Sequence, residues 1–583
     1  MLKTHPETGD ILRRLHVHEA ISHLDYYFAV YMAQVFSHED PLVKTSCALV
    51  SSALAQGRVC LDLKTMAGRV ISLSGKEVPQ IRLPGFETWV DALTAAPMVG
   101  KPGDHDPCRL PLVLDTDGCL YLSKYYDFQE RLVQALASRI RSRPFPLDPE
   151  FVSSQINRHF NSGDFEHTRR QRQAVATALQ SNFTVISGGP GTGKTHIIRI
   201  IRDILQAHAH ARRMPSPRFL SLAPTGRAAS RLQDGATIHS VLIPRKNRPG
   251  FVHGKDTPLA ADVVIVDEAS MVDLALMTRL MEAIPLSARV ILLGDDNQLS
   301  PVQAGAVFSD ICQAEGIVPL KVSLNYNFRS RGKTGIEHLA NAIRNNDVEE
   351  TIRILTRGKY PDLVYESPGE DRSRVLEEYI QSGYGPFMQQ QDMAAALDAM
   401  DGFRILCAHN VGEFGTLQIN HLCEKVLRRK GHSAINERSV KQMIMIRTND
   451  YDRGLFNGDT GVVLQDGENL SAVFRTEDGM IRKFGYMDLP SHEPAFGMTI
   501  HKSQGSEFET VLILIPDKVS RVVTRQLLYT GVTRAKTKAV ILGPLSVIQE
   551  AMSQPLEQTC RVSNRLTAKD LSVPDMAMEG CIN

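Results

Sequence analysis

The sequence predicts an α/β chain: two parallel sheets in tandem, behind a mostly helical N-terminal domain and with a small β insertion in the second sheet's domain. Three observations predict this. From about residue 150 onward, apolar runs alternate with helical segments, the pattern of parallel sheets covered by helices on both faces. The runs fall into two sets, at 183–186, Phe219–Ala223, Val263–Val266 and 290–293, then at Phe403–Cys407, 511–515 and 539–542. Between the first run and a helix-like stretch from 197 to 205 stands Gly188-Gly189-Pro190-Gly191-Thr192-Gly193-Lys194-Thr195, the pattern G-x-x-x-x-G-K-[ST].

At 583 residues the chain is too long for one core, and ~150 residues per domain suggests three or four domains. Residues 1–145 lack a phosphate loop, contain helix-like stretches such as 42–50, and leave through Arg143-Pro144-Phe145-Pro146. They are expected to form a separate, mostly helical docking domain. Gly57-Arg58-Val59-Cys60-Leu61 and Leu120-Tyr121-Leu122-Ser123-Lys124-Tyr125-Tyr126 carry no chemistry readable from residue type. The first α/β domain is placed at 146–325, with a hairpin insertion at about 241–259 that holds Arg245, Lys246, Arg248 and Lys255 among turn residues. The second is placed at 326–560 and is interrupted at about 430–490 by short alternating segments with turn signals at Asn457-Gly458 and Asp466-Gly467, a small β-barrel or sandwich. Residues 561–583 read as a tail.

Sixty-six basic residues against 65 acidic ones leave a net charge of +1, so no global field draws the chain to nucleic acid, and any such site must be a local channel. Nine cysteines without a C-x-x-C pair read as free thiols of a reduced, cytoplasmic protein. No apolar run reaches about 18 residues, so no membrane span is expected.

In the phosphate loop, Gly188, Gly189, Gly191, Thr192 and Gly193 let several backbone N–H groups face one anion, and the following helix adds its dipole. Lys194 is expected to reach the β- and γ-phosphates and Thr195 to ligate Mg²⁺. Asp267 and Glu268 end the apolar strand Val263–Val266, about 70 residues further on. The first suits the metal and the second suits the attacking water. Asp295 and Gln298 end another apolar run, where strand ends converge on the ligand crevice. Thr225 and Arg227 after the strand Phe219–Ala223, then His239, are residue types that hold a nucleic-acid backbone.

These motifs occur in the order found in superfamily-one helicases, which the chain resembles over about 165–545. Gln173, the phosphate loop, Ala223 to Ala229, Asp267-Glu268, Gly294 to Gln298 and Asn327-Phe328-Arg329-Ser330 are followed by Thr499-Ile500-His501-Lys502-Ser503-Gln504-Gly505 and Tyr529-Thr530-Gly531-Val532-Thr533-Arg534-Ala535-Lys536. Within that superfamily it most resembles the RecD family, and 57–61 and 120–126 share the likeness. Asp296 departs from the basic or different polar residue of many relatives.

The resemblance implies two RecA-like domains in tandem, an SH3-like insertion, and a pin at the hairpin. It implies ATP and Mg²⁺ as cofactors, Gln173 on adenine, and Arg329 and Arg534 reaching the γ-phosphate on domain closure. Thr225, Arg227, His239, Thr499, His501 and Lys502 would line a single-strand channel. The implied activity is 5′ to 3′ unwinding of DNA at duplex ends, with RecB-like and RecC-like partner subunits supplying any nuclease. A stand-alone relative of this family, or an ATP-switched subunit that does not unwind, are the competing readings.

Overall fold

The computed structural model describes residues 11–71, 80–103, 110–160, 165–245, 248–301, 303–328, 334–369, 371–429, 441–450, 452–467, 469–476, 480–554, 560–567 and 569. Arg329, Lys246 and most of the 561–583 stretch therefore lie outside the described residues.

The N-terminal part is mostly helical, as expected, with its main helices at Ile11–Val17, His23–Val35, Pro41–Ala55, Phe86–Ala95 and Ser123–Arg141. Local chemistry starts them. Asp40 caps the third by accepting from Leu42 N and Val43 N ahead of Pro41, and Ser22 and Asp25 form a capping box on the second. A four-stranded sheet that helix-like composition did not announce runs in the order Cys60–Asp62, Cys119–Leu122, Leu112–Leu114, Val99–Gly100. Its first two strands are the two segments singled out above, paired with Cys60 opposite Tyr121 and Asp62 opposite Cys119.

This domain is not separate. Val113, Cys119, Tyr121 and Phe128 share one apolar cluster with Phe183, Val185, Leu274 and Met277 of the next domain. The helix Ser123–Arg141 lies on the helix Leu274–Ala283, and Arg139 donates to the carbonyls of Ile284, Pro285 and Ala288 beyond that helix's last turn. A boundary near 145 therefore follows the chain but cuts through a shared core.

All four strands of the first set form, joined by two short ones, in a fully parallel sheet ordered Lys321–Leu324, Phe183–Gly188, Arg289–Gly294, Val263–Val266, Phe219–Ala223, Gly235–Thr237. The second set behaves likewise, in the order Leu363–Glu366, Ala535–Leu542, Phe508–Leu514, Phe403–Cys407, Gly497–Thr499, again parallel. The strands Arg289–Gly294 and Val263–Val266 of the first sheet and Phe403–Cys407 of the second are buried on both faces, which is why they read as nearly unbroken apolar runs.

The insertion between Phe403–Cys407 and Gly497–Thr499 is an antiparallel sheet ordered Ile481–Gly485, Asn469–Arg475, Thr460–Asp466, Gln442–Ile446, His492–Pro494. It packs its own small core of Ile444, Ile446, Leu455, Val463, Ala472 and Phe474. The described strands thus make one open sheet with two edges rather than a closed barrel. The hairpin insertion is short, with Pro244 bridged to Phe251 and Arg245 N donating to Gly250 O at 3.1 Å.

The C-terminal stretch is not a mere tail. Val562–Thr567 is a helix that returns to the front of the chain: Arg561 pairs with Asp62, Arg565 with Asp115 and Glu130, and Ser563 donates to Asp310. No described helix is long and apolar enough to cross a membrane. The seven described cysteines are all free and buried.

Candidate nucleotide cleft and strand channel

The phosphate loop follows the strand Phe183–Gly188 and opens the helix Lys194–Ala211. Gly193, the residue before that helix, has φ 89°, a left-handed backbone that side chains rarely adopt, and a Cβ there would lie 2.2 Å from Gln171 Nε2. Thr192 Oγ1 donates to Gly189 O at 2.8 Å and tightens the loop. The Lys194 ammonium donates to the carbonyls of Gly188 at 2.6 Å and Gly189 at 3.1 Å, so it already sits over the loop. Thr195 is exposed beside it.

Asp267 ends its strand next to the loop. Burial, reinforced by the Glu268 charge and opposed by Lys194, pushes its carboxyl up to about 6. Glu268 has φ 50°, a costly backbone for a non-glycine residue that recurs at functional sites. Its backbone N–H donates to Asp267 Oδ1 at 2.9 Å, which fixes the Asp267 carboxylate at the strand end. Asp296 is accommodated by Ser187 Oγ at 2.8 Å and the Lys321 ammonium at 3.3 Å.

The second α/β domain closes the cleft. Tyr529 Oη donates to Asp295 Oδ2 at 3.0 Å, Leu299 N to Thr530 Oγ1 at 3.0 Å, and Gln504 Nε2 to Leu299 O at 2.9 Å. Arg534 is brought to this seam fully buried, donating to the carbonyls of Thr530 and Ser506, both at 3.1 Å, and burial pushes its guanidinium down. Arg329, its expected companion, lies outside the described residues. Arg344, which motif reading missed, lines the same cleft together with Gly189, Pro190, Thr192 and Tyr529. It sits on the helix Gly335–Arg344, where nothing in its local sequence marks it.

The adenine-side expectation needs correction. Gln173 is half-buried, and its Oε1 accepts from Arg170 at 3.0 Å, whereas Gln171 donates to Thr192 O at 2.9 Å and lines a pocket of about 320 Å³ with His167, Thr192, Tyr326 and Phe328. Two residues apart on a helix means about 200° of rotation, so only one of the pair faces the loop. The helical phase set by buried Ala174, Val175 and Ala178 would have separated them. His167 stacks on Tyr326 with ring centroids 4.0 Å apart, an aromatic wall that the motif reading also missed.

Of the strand-channel residues, most converge. Thr225 caps the turn Gly226–Ala229 by accepting from Ala228 N at 3.2 Å, and Arg227 lies 3.8 Å from Asp401 of the second domain. Across from them, Gly505 approaches Ala228 and Phe456 of the insertion packs on Gly226, which places the loop after the strand Gly497–Thr499 against that turn. Thr499 Oγ1 accepts from Lys502 N at 3.3 Å, and burial pushes His501 down. The Lys502 ammonium is held by Glu493, which also pairs with Arg447 at 3.6 Å. His239 stands apart, exposed at the hairpin base with its ring 5.7 Å from that of Phe251.

Family models match three stretches of the chain: an AAA domain at 166–360, a UvrD-like helicase C-terminal domain at 494–542, and the N-terminal domain of RecBCD enzyme subunit RecD at 17–121. The RecBCD enzyme subunit RecD of Mycolicibacterium smegmatis is 32% identical over 576 residues, which span 94% of this chain and 98% of that protein. The chain belongs to the RecD family. Another RecD subunit, from Haemophilus influenzae, is 26% identical over 94% of this chain and 98% of its own length. The ATP-dependent RecD2 DNA helicase of Deinococcus radiodurans is 28% identical, but over 64% of this chain and 49% of its own length. A Bacteroides Pif1 helicase structure covers 66% of this chain and 94% of its own at 18% identity and a TM-score of 0.39, so the family assignment rests on the sequence relatives. Membership in the RecD family accounts for the N-terminal domain as well as the two motor domains.

Proposed function

We propose that this chain is an ATP-dependent 5′ to 3′ DNA helicase acting as the RecD subunit of a RecBCD-type complex, with RecB-like and RecC-like partners, on duplex DNA ends. One observation carries the reading: the phosphate loop of one parallel sheet is closed over by Tyr529 and Arg344 of the other, with proposed strand-channel residues divided between the same two domains. A cleft built this way changes shape whenever nucleotide binds, and the channel changes with it.

In this cleft Gln171 and the His167–Tyr326 wall suit the base, and loop N–H groups and Lys194 suit the phosphates. Thr195 and Asp267 would hold Mg²⁺, which neutralises phosphate charge when bound. Glu268 would take the proton of the attacking water. Arg534 would leave its carbonyl partners to meet the γ-phosphate, a contact that contributes about 10³ or more in rate in related phosphoryl transfers. Thr225, Arg227, Thr499, His501 and Lys502 would grip the strand backbone. The near-complete span of RecD subunits, against about half of RecD2, favours the complex-bound reading over a stand-alone helicase.

The test is unwinding of duplexes with a 5′ or a 3′ single-stranded tail, with and without candidate partner subunits. Unwinding of the 5′-tailed duplex, abolished by Lys194→Ala, is expected. Unwinding that survives that substitution overturns the motor site, and a preference for 3′ tails overturns the polarity.

A further inference from the structure

Asp295 lies at the centre of a hydrogen-bond chain that crosses the domain seam. Its Oδ2 accepts from Tyr529 Oη at 3.0 Å and from Gln298 Nε2 at 3.0 Å, and its Oδ1 accepts from Asn297 N at 3.1 Å. All three side chains are nearly sealed from solvent, with Asp295 at 2%, Tyr529 at 5% and Gln298 at 6% exposure. The chain abuts the phosphate loop: a Cβ on Gly189 would stand 2.9 Å from Tyr529 Oη and 3.6 Å from Asp295 Oδ2.

With Asp295 ionised, as the Lys194 charge favours against the upward push of burial, all three contacts on its carboxylate are accepted ones. The Gln298 amide turns its NH₂ to that carboxylate. Among the described residues its Oε1 is left buried without a hydrogen-bond partner, although a buried polar atom normally has one. An orphaned acceptor beside a phosphate loop does not suit a phosphate oxygen, which donates nothing. It suits a water molecule, which does.

We infer that Tyr529 is a positioning residue: from the second domain it fixes Asp295, and through it the Gln298 amide, so that Gln298 Oε1 orients the attacking water when the cleft is closed. Opening the cleft withdraws the Tyr529 hydroxyl, frees the carboxylate and lets the amide turn. Hydrolysis is thereby made conditional on closure by a contact independent of the arginines. The inference rests on the reading of this cleft as the ATP site.

The test is steady-state ATP hydrolysis by the full chain with saturating oligo(dT), together with the affinity for a fluorescent ATP analogue. Tyr529→Phe removes one hydroxyl and keeps the ring, and Asp295→Asn keeps the shape but ends the acceptor-only constraint. Each is expected to lower kcat about 10-fold or more, since small misplacements cost that much, while KM and analogue affinity stay within about 2-fold. The double variant is expected to be no worse than the weaker single, because the residues act as a unit. Tyr365→Phe, which removes a tyrosine hydroxyl bond to Gly543 O inside the second domain, is expected to keep kcat within about 2-fold.

Independent, multiplying losses in the double variant overturn the inference. So does an equal kcat loss in Tyr365→Phe, or full kcat in Tyr529→Phe. If Tyr529→Phe does not fold, the kcat-against-KM split in Asp295→Asn decides alone, and a KM effect there is a refutation. Lys194→Ala separates the two levels. Hydrolysis persisting in that variant removes the site itself, whereas loss in Lys194→Ala with additive relay variants removes only the positioning role.

Discussion

Gln504 and Leu299 are joined across the two motor domains, the side-chain amide of the first donating to the backbone carbonyl of the second at 2.9 Å in a fully buried seam. Gln504 belongs to the loop that carries Thr499, His501 and Lys502, the proposed strand-channel residues, while Leu299 follows Gln298 directly. One hydrogen bond thus links the proposed channel to the proposed nucleotide cleft.

Gln504→Ala strands the Leu299 carbonyl away from water, at a cost of about 1–3 kcal/mol. A lowered denaturant midpoint is expected, with weaker stimulation of hydrolysis by single-stranded DNA. Unchanged stimulation would show that the seam bond does not carry the coupling.

Gln171 and Gln173 separate cleanly by substitution. Gln171→Ala loses the bond to Thr192 O and a wall of the pocket, and KM for ATP is expected to rise about 5- to 10-fold, the equivalent of one ordinary hydrogen bond. Gln173→Ala is expected to stay within about 2-fold. Equilibrium binding of a fluorescent nucleotide to both variants checks this.

Burial pushes His501 down from its ordinary value of 6.5, so the unfolded chain takes up the proton at a higher pH than the folded one. The stability tied to this group is present in full above about pH 6.5 and is lost as pH falls through the folded value. Denaturant midpoints at pH 7.5 and 5.5 should therefore differ less in His501→Gln than in the parent chain. At pH 7 the ring is neutral, and His501→Gln should leave the salt dependence of DNA binding unchanged.

Arg565 anchors the C-terminal helix with ion pairs to Asp115, at 3.1 Å, and Glu130, and with its guanidinium 4.7 Å from the Tyr126 ring centroid. Arg565→Ala leaves a buried Asp115 and a partly exposed Glu130 without their cation, and a loss of about 2–4 kcal/mol is expected, below the full range for breaking a buried pair because Glu130 keeps some solvent. Limited proteolysis should then release the 560–567 segment first. Melting unchanged from the parent chain would contradict the anchoring.

What the sequence by itself determined about this protein was local: the phosphate loop, the strands buried on both faces, the paired carboxylates Asp267 and Glu268, and the order of motifs. Each depends on neighbours within a few residues, where backbone freedom, apolar continuity and spacing state the structure directly. What only the tertiary structure decided were meetings between distant parts of the chain. Arg344 entered the cleft through the placement of a whole helix, and the N-terminal sheet merged its core with the first motor domain. The 562–567 helix came back to Asp62, Asp115 and Asp310. Gln171 displaced Gln173 because a helix has one buried face, and only packing shows which way it turns. Tyr529 and Asp295, 234 residues apart, meet where the two sheets' domains pack on each other. No local pattern records such a meeting, since it is set by the burial of surfaces that belong to whole domains.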